Sequence, residues 1–494
     1  MIINRAEKKP VIAILILALL LRIALFVGAN FNDDMEYLFT ARSLALGRLN
    51  EYPIGSIDSL RLMIVFPMSV IFRFIGINEF SASLYFLLSS LGSVLLTYLA
   101  AERMFNRVTA IVAALFYATF PLDIAYSTQL VPSEPLTFFF LLSFYMFLRA
   151  EKHNKPKLKH KTAFLLLSGV FLGFAYMCNI RAILFALLFP LLAIFDMIKE
   201  KSFVIKRAYI WILLGFIIIF IYESLVFYGA VGNPLWRLKI YHQAEQTVNT
   251  NTSLQYYPRI LFKIRNVNFL FQEGNFGFFA YATICSFIWL LFKRDEKSYF
   301  MIIWLILTLL YLQFGVMTFQ LRAIAKWARY LVTLLPFSVI ITARALKLLG
   351  KRTLSKMFIV CCILFLTASN IYFSIGSVNG YLLNTADFKA TYDTLKELPE
   401  KKIYTDSGSH GYLMLYFKFK RDIGVIEATK DVNEIKDAYV VINGSLGIVA
   451  SSEMRARLPT YASDIPKYWS LVKEIKAAHQ GFYRTFNPKI YYVK

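Results

Sequence analysis

Asn30-Phe31-Asn32-Asp33-Asp34-Met35-Glu36-Tyr37 follows directly on an apolar run, residues 11–29, that is long enough to cross a bilayer. Three carboxylates within four residues, at the mouth of a membrane helix, are costly to keep near hydrocarbon. The stretch therefore reads first as a functional site. It also reads as a helix start, because Asp33 or Asp34 would serve as N-cap for a helix over residues 35–46, whose apolar face carries Tyr37, Leu38, Ala41, Leu44 and Ala45.

The class of protein follows from composition. The chain has 494 residues, 58% hydrophobic and 17% charged, whereas a soluble domain is nearer half apolar and a quarter charged. This is the composition of a polytopic α-helical membrane protein with room for one extra domain. The formal charge of +23 would suit a nucleic-acid binder. The basic residues, however, lie in short loops between apolar runs, and no basic-aromatic module of a nucleic-acid binder occurs. The four cysteines all sit in apolar runs, without disulfide or metal spacing. Arg5, Lys8 and Lys9 precede the first run, which has no small-residue cleavage site and reads as a retained span.

Further runs long enough to span cover residues 80–101, 108–122, 133–149, 162–178, 182–198, 208–230, 276–292, 298–315, 330–346 and 357–375. Leu62–Ile75 is decided by the positive-inside rule. If it stays in the outer interface, Arg103/Arg107 and the basic segments 152–161, 199–207, 293–297 and 344–356 all face the cytoplasm. If it crosses, most of them face out. Arg61, Pro67 and Arg73 also suit a juxtamembrane helix. The expectation is about eleven spans, a cytoplasmic N-terminus and an extracytoplasmic C-terminus in the cell membrane. Residues 1–379 form the membrane domain, with outer loops 30–79 and 231–275. Residues 380–494 form a small extracytoplasmic α/β domain, with a helix over 386–398, strands at 402–405 and 438–442, and a helix at 412–417.

Charged residues gather at the outer ends of these spans. Glu134, in Val131-Pro132-Ser133-Glu134-Pro135, is placed level with Asp33 and suggests a shared cleft, with Asp123 nearby as a substitute. Arg181 stands in an outer turn, and Arg322, Lys326 and Arg329 cluster with Trp327 and Tyr330 before the tenth span. Interfacial snorkelling and an aromatic belt account for Lys326 and Trp327. They account less well for Arg181 and Arg329, because outer loops are poor in Arg. Arginine offers a planar fork to phosphate and lysine a point charge. An outer acid beside outer arginines points to a phosphate-bearing lipid substrate with a carboxylate base.

Asp33-Asp34-Met35-Glu36-Tyr37 resembles the Asp-Glu-x-x-Tyr signature in the first outer loop of membrane glycosyltransferases of the GT-C fold. The branch it is most similar to holds the protein O-mannosyltransferases and the aminoarabinose transferase of lipid A. Phe72-Arg73-Phe74-Ile75-Gly76, Ser133-Glu134-Pro135-Leu136, Gly232-Asn233-Pro234 and Arg329-Tyr330-Leu331 with Pro336 carry the same resemblance. One stretch departs from it: Ile57-Asp58-Ser59-Leu60 stands where that family has a Pro-Pro or His-Pro pair. The resemblance implies a polyprenyl-phosphate-linked sugar donor and an acceptor hydroxyl on a glycan, lipid or protein. It implies inversion at the anomeric carbon. Asp33 is the base by that resemblance, supported by Asp34, with Glu134 at the second acidic position and Tyr37 as the signature tyrosine. Arg181, Lys326, Arg329 and Tyr330 are the candidates for holding the lipid phosphate. No nucleotide motif is needed for a sugar that arrives activated, and none occurs. A divalent metal is left open.

A transporter or flippase of a lipid-linked or anionic solute is the alternative, and a scaffold for envelope polymer assembly a third reading. A transporter gathers its ionisable groups near the bilayer midplane. Convergence of Asp33, Glu134, Arg181 and Arg329 on one outer cleft favours the enzyme.

Overall fold

The computed structural model describes residues 5–30, 32–48, 55–151, 158–200, 207–247, 276–314, 328–350, 353–426, 434–442, 465–476 and 487–494. Among the described residues, five helices are long and apolar enough to cross a membrane: Glu79–Met104, His160–Cys178, Arg207–Val231, Ala328–Leu349 and Lys356–Glu397. Shorter apolar helices pack among them, and the protein is an integral membrane protein. In chain order the first helices are α1 (Arg5–Ala24), α2 (Asn32–Ala45), α3 (Leu62–Ile75), α4 (Glu79–Met104), α5 (Arg107–Ala118), α6 (Pro121–Tyr126) and α7 (Ser133–Glu151). They are followed by α8 (Leu158–Cys178), α9 (Ala182–Ala186), α10 (Leu188–Glu200), α11 (Arg207–Val231) and α12 (Trp236–Thr247). Then come α13 (Phe278–Phe292), α14 (Glu296–Phe314), a 3-10 turn at Ala328–Leu334, α15 (Leu335–Leu349), α16 (Thr353–Glu397) and α17 (Ser407–Tyr416).

Local chemistry fixes these boundaries. Asn78 caps α4 in a reciprocal box with Ser81, and Asn106 caps α5 through the Thr109 amide. Helices α8 and α11 cross closely because Gly169, Gly173 and Gly215 line the contact. A Cβ on Gly169 would lie 1.9 Å from the Ile212 carbonyl oxygen. Ser143 and Ser168 each donate to the other's carbonyl, at 2.7 and 2.8 Å, and clamp α7 to α8.

Three runs differ from the sequence reading. Residues 108–122 are not one helix: α5 stops at Ala118, and Pro121, which lacks an N–H, opens α6. Residues 182–198 break at Leu187, whose amide bonds back to Leu184 in a tighter turn, and Pro190 removes the N–H that Ala186 would have accepted. The last span and the amphipathic helix at 386–398 are one helix of 45 residues, α16. Gly376 and Gly380 weaken it locally, but packing of Val378 and Tyr381, each 1% exposed, holds it straight through. Helix α3 has 14 residues, about 21 Å of rise, short for the ~30 Å hydrocarbon core. It buries Ile64, Val65, Met68 and Phe72 and exposes Phe66, Val70 and Phe74.

After α16 the chain forms a five-stranded sheet in the order β2-β1-β3-β5-β4, with β1 at Lys402–Thr405, β2 at Ile423–Val425, β3 at Ala438–Ile442, β4 at Ser470–Glu474 and β5 at Lys489–Val493. β1 pairs in parallel with β2 and β3, and β5 runs antiparallel to β3 and β4. Alternation along β3 sends Tyr439 and Val441 to one core and Ala438, Val440 and Ile442 to the other. Helix α17 docks this unit on α2. Gly411 leaves room for Met35, Phe39 stacks on His410 at 6.0 Å, and Arg42 lies over Phe419 at 4.6 Å.

Candidate active site

The acidic stretch is held by what precedes and what covers it. Gly28 takes φ +80°, and a Cβ there would lie 2.1 Å from Glu79 Oε1, so only glycine fits the turn out of α1. The Asn30 side chain donates to the Tyr381 carbonyl at 2.7 Å and accepts from Asn384 at 3.2 Å, tying the turn to α16. Asp34 is fully buried, and its Oδ2 accepts from the Asn30 amide at 2.7 Å. Tyr412 of α17 lies against Asp34, its hydroxyl pushed well above its ordinary value by burial and by that carboxylate. Asp34 thus fixes the loop, while the Asp33 side chain stays 39% exposed.

Asp33 meets Arg329, 296 residues away, at 3.0 Å. Burial alone would raise the Asp33 carboxyl. The Arg329 and Arg61 charges and the Arg329 hydrogen bond outweigh it and hold Asp33 below the usual aspartate value. Arg181 lies over the Tyr330 ring at 3.7 Å, beside Arg329 in sequence. Tyr37, fully buried, donates to Asp58 Oδ1 at 2.7 Å. Lys326 and Trp327 lie outside the described residues.

Sequence reading missed the other half of this cluster. Arg61 Nη1 meets Asp58 Oδ1 at 2.6 Å, its guanidinium lies 5.5 Å from the Tyr37 ring centre, and its Nε donates to the Tyr241 hydroxyl at 3.4 Å. Burial and the charges of Asp33, Glu36 and Asp34 push Asp58 well above the ordinary range, against the pull of Arg329. Tyr241 stands on α12, which is pinned by Arg237: to Glu223 at 2.5 Å and to the Tyr176 carbonyl at 2.9 Å. Burial raises Tyr241, and the Arg61 and Arg237 charges outweigh it, leaving the hydroxyl below its usual value. Two arginine–aspartate pairs, Asp33–Arg329 and Asp58–Arg61, thus stand side by side between α2, α12 and the 3-10 turn. The visible signal was Arg61 itself, three residues after Asp58.

Glu134 is fully buried, and the charged groups that act on it are Asp123 and Arg22. After α5 the chain folds back through the wholly buried α6, which carries Asp123 and the start of α7 into the bundle. There Arg22 forms an ion pair with Asp123, donates to Ser90 at 2.7 Å, and donates to the Ala18 and Ala118 carbonyls at 2.9 and 3.0 Å. Glu134 lies against Asp123, with Tyr117 and Arg22 as its other neighbours, and Arg22, Asp123 and Glu134 are 0% exposed. One guanidinium thus faces two carboxylates. This buried cluster ties α1, α4, α6 and α7 together. Among the described residues, no three His, Cys, Asp or Glu side chains converge as metal ligands.

A helical membrane bundle, a paired acid and arginine beside a juxtamembrane helix, and a small sheet docked over them define a membrane protein of the GT-C glycosyltransferase fold. Residues 61–224 match the family model of the dolichyl-phosphate-mannose-protein mannosyltransferases. The whole chain superposes on ArnT from Cupriavidus metallidurans in the apo state, with TM-score 0.64, 14% identity and 98% of both chains covered. The same ArnT bound to undecaprenyl phosphate gives a TM-score of 0.61, again with 14% identity and 98% of both chains. The apo oligosaccharyltransferase of Archaeoglobus fulgidus gives 0.53, with 12% identity, covering 89% of this chain and 70% of that one. No curated protein sequence matches. The chain shares the fold of these proteins.

Proposed function

We propose that the protein is an inverting glycosyltransferase that moves a sugar from a polyprenyl-phosphate donor to an acceptor hydroxyl outside the cytoplasm. The observation that carries this reading is the Asp33–Arg329 contact, an acid and a cation from opposite ends of the membrane domain. Asp33 takes the acceptor's proton as the acceptor oxygen bonds to the anomeric carbon. The bond from that carbon to the phosphate oxygen breaks on the opposite face, and the phosphate leaves with the electron pair. Arg329 and Arg181 stabilise the charge that develops there. Drawing Arg329 toward the phosphate loosens its grip on Asp33, whose proton affinity rises toward that of a working base. The ArnT structure with undecaprenyl phosphate supports a lipid-phosphate ligand for this fold. Incubation with a panel of polyprenyl-phosphate sugars, read by mass analysis of glycan, lipid and protein acceptors, tests the reaction. No transfer from any donor would sink it.

The sidedness rests on the basic loops. Arg103 donates to the Leu148 and Arg149 carbonyls at 3.4 Å, Arg344 pairs with Asp295 at 2.9 Å, and Arg344 lies over Phe105 at 4.8 Å. These contacts gather four basic loops at one end of the bundle, which the positive-inside rule puts in the cytoplasm of a cell membrane. The Asp33 cluster and the sheet then lie outside. A cysteine at the exposed Lys436 is expected to react with a membrane-impermeant maleimide in intact cells. Reaction only after permeabilisation reverses the assignment.

Arg329→Lys keeps the charge and loses the fork. Donor affinity is expected to fall by roughly 1.5–3 kcal/mol, the worth of a hydrogen bond to a charged group. Unchanged donor affinity in both Arg329→Ala and Arg181→Ala would remove these residues from the phosphate site.

A further inference from the structure

Asp58–Arg61 is the pair that the sequence resemblance does not supply, and it lies beside the proposed base. Four carboxylates, Asp33, Asp34, Glu36 and Asp58, face two guanidinium groups here, Arg61 and Arg329. Each arginine is occupied by an aspartate. An incoming phosphodiester adds one more negative charge and needs a cation that is free to turn. We propose that Arg61 is a second ligand of the donor phosphate, masked in the resting protein by Asp58, and that Asp58 takes up a proton as Arg61 changes partner. The inference rests on the polyprenyl-phosphate reading above.

The geometry suits such an exchange. Tyr37 and Arg61 both meet the same Asp58 oxygen, Oδ1. A proton on Oδ2 therefore leaves the Tyr37 hydrogen bond intact while weakening the hold on Arg61. Arg61 keeps two further supports as it turns, the Tyr241 hydroxyl and the Tyr37 ring. Its charge already reaches Asp33, so it lies alongside the reaction centre. The groups facing Asp58 are Asp33, Asp34, Glu36 and Tyr37 from α2, Arg61 from its own segment, Tyr241 from α12 and Arg329 from the 3-10 turn. Among them the carboxylates outnumber the cations, which makes Asp58 the acid that gives way. The exchange balances: a proton from solvent bonds to the Asp58 carboxylate, and the Arg61–carboxylate ion pair is replaced by an Arg61–phosphate pair.

The sign follows from linkage. Below the resting titration of Asp58 the proton is already present, and donor affinity is constant. Above it, binding must draw a proton from solvent, so the dissociation constant rises by up to about tenfold per pH unit. The test is calorimetric binding of a polyprenyl-phosphate mannose to the full-length protein in detergent, in buffers of different ionisation enthalpy, across pH. This ligand is a phosphodiester and does not itself titrate in that range. The expected result is uptake approaching one proton per donor at the alkaline end. In Asp58→Asn the uptake and the slope disappear, and at high pH the donor binds more tightly than in the wild type. Asp58→Glu keeps the uptake. A merely structural Asp58 would weaken binding equally at every pH when changed to Asn, and that result overturns the inference, as does uptake that persists in Asp58→Asn. If Asp58→Asn fails to fold, the absence of uptake in the wild type overturns it alone. Failure of the wild type to bind this ligand or any other polyprenyl-phosphate sugar at any pH would instead overturn the donor reading on which the inference stands.

Discussion

Asp33→Asn is expected to fold, insert and bind donor normally while losing about a hundredfold to ten-thousandfold in turnover, the usual cost of removing a general base. Asparagine keeps the shape and can still accept from Arg329 through its amide oxygen. Helix α2 starts at Asn32, one residue earlier than a cap at Asp33 would allow, so Asp33 stands in its first turn and the substitution removes no cap. What it cannot do is take a proton. Single-turnover rates with saturating donor and acceptor separate the two roles. A folded Asp33→Asn protein with near-normal turnover would leave Asp33 as a structural partner of Arg329 and no more. The ionised form of Asp33 is held in place by Arg329 and Arg61 in the resting protein. The acid limb of kcat/KM, which reports the free enzyme, should therefore lie below the ordinary aspartate range, while that of kcat, which reports the donor complex, should lie higher.

Arg22→Met is expected to destabilise the protein by about 3–5 kcal/mol, because it strands Asp123 and Glu134 in the bundle without a cation. The side chain is fully buried, so water cannot compensate. Arg22→Met with Asp123→Asn removes the guanidinium together with the carboxylate it pairs with and should recover part of the loss, because coupled replacement of a buried pair is often nearly neutral. Thermal unfolding in detergent, read for both single variants and the double, gives the coupling directly. Additive losses would show that the cluster is not a unit.

How much of this was legible beforehand differs by residue. Asp33 and Arg329 could be placed on one side from sequence because each belongs to a charged cluster at the end of an apolar run. The strands at 402–405 and 438–442 announced themselves by β-branched and aromatic residues between turn signals, and β1 and β3 occupy those residues. Strands β2 and β4 gave weaker signals, β2 having three residues and β4 being exposed along its whole length, whereas β5, with Ile490, Tyr491, Tyr492 and Val493, carried the same kind of signal and was not read as a strand. Arg22 was hidden because one arginine in a long apolar run barely changes its average. Its importance comes from Asp123, 101 residues away. The surroundings of Glu134 were hidden for a related reason. Hydropathy puts it at the end of a span, but the fold-back through α6 draws that end inside. Asp58 and Arg61 were each visible. Their junction with Asp33 depends on the return of the first outer loop against α2, which periodicity does not encode.

Helix α16 has one more consequence. Its 45 residues make a rod of about 67 Å, more than twice the ~30 Å hydrocarbon thickness. Its upper half grips Asn30 through Tyr381 and Asn384 and stacks Phe388 on Tyr412 of α17 at 4.3 Å. Sheet and acidic loop therefore ride on one lever whose lower arm is embedded in lipid. Transmembrane helices accommodate a thinner or thicker bilayer partly by tilting. A tilt of that lower arm swings the far end of the rod, and with it the roof over Asp33, so lipid chain length becomes a mechanical input to the geometry of the reaction centre.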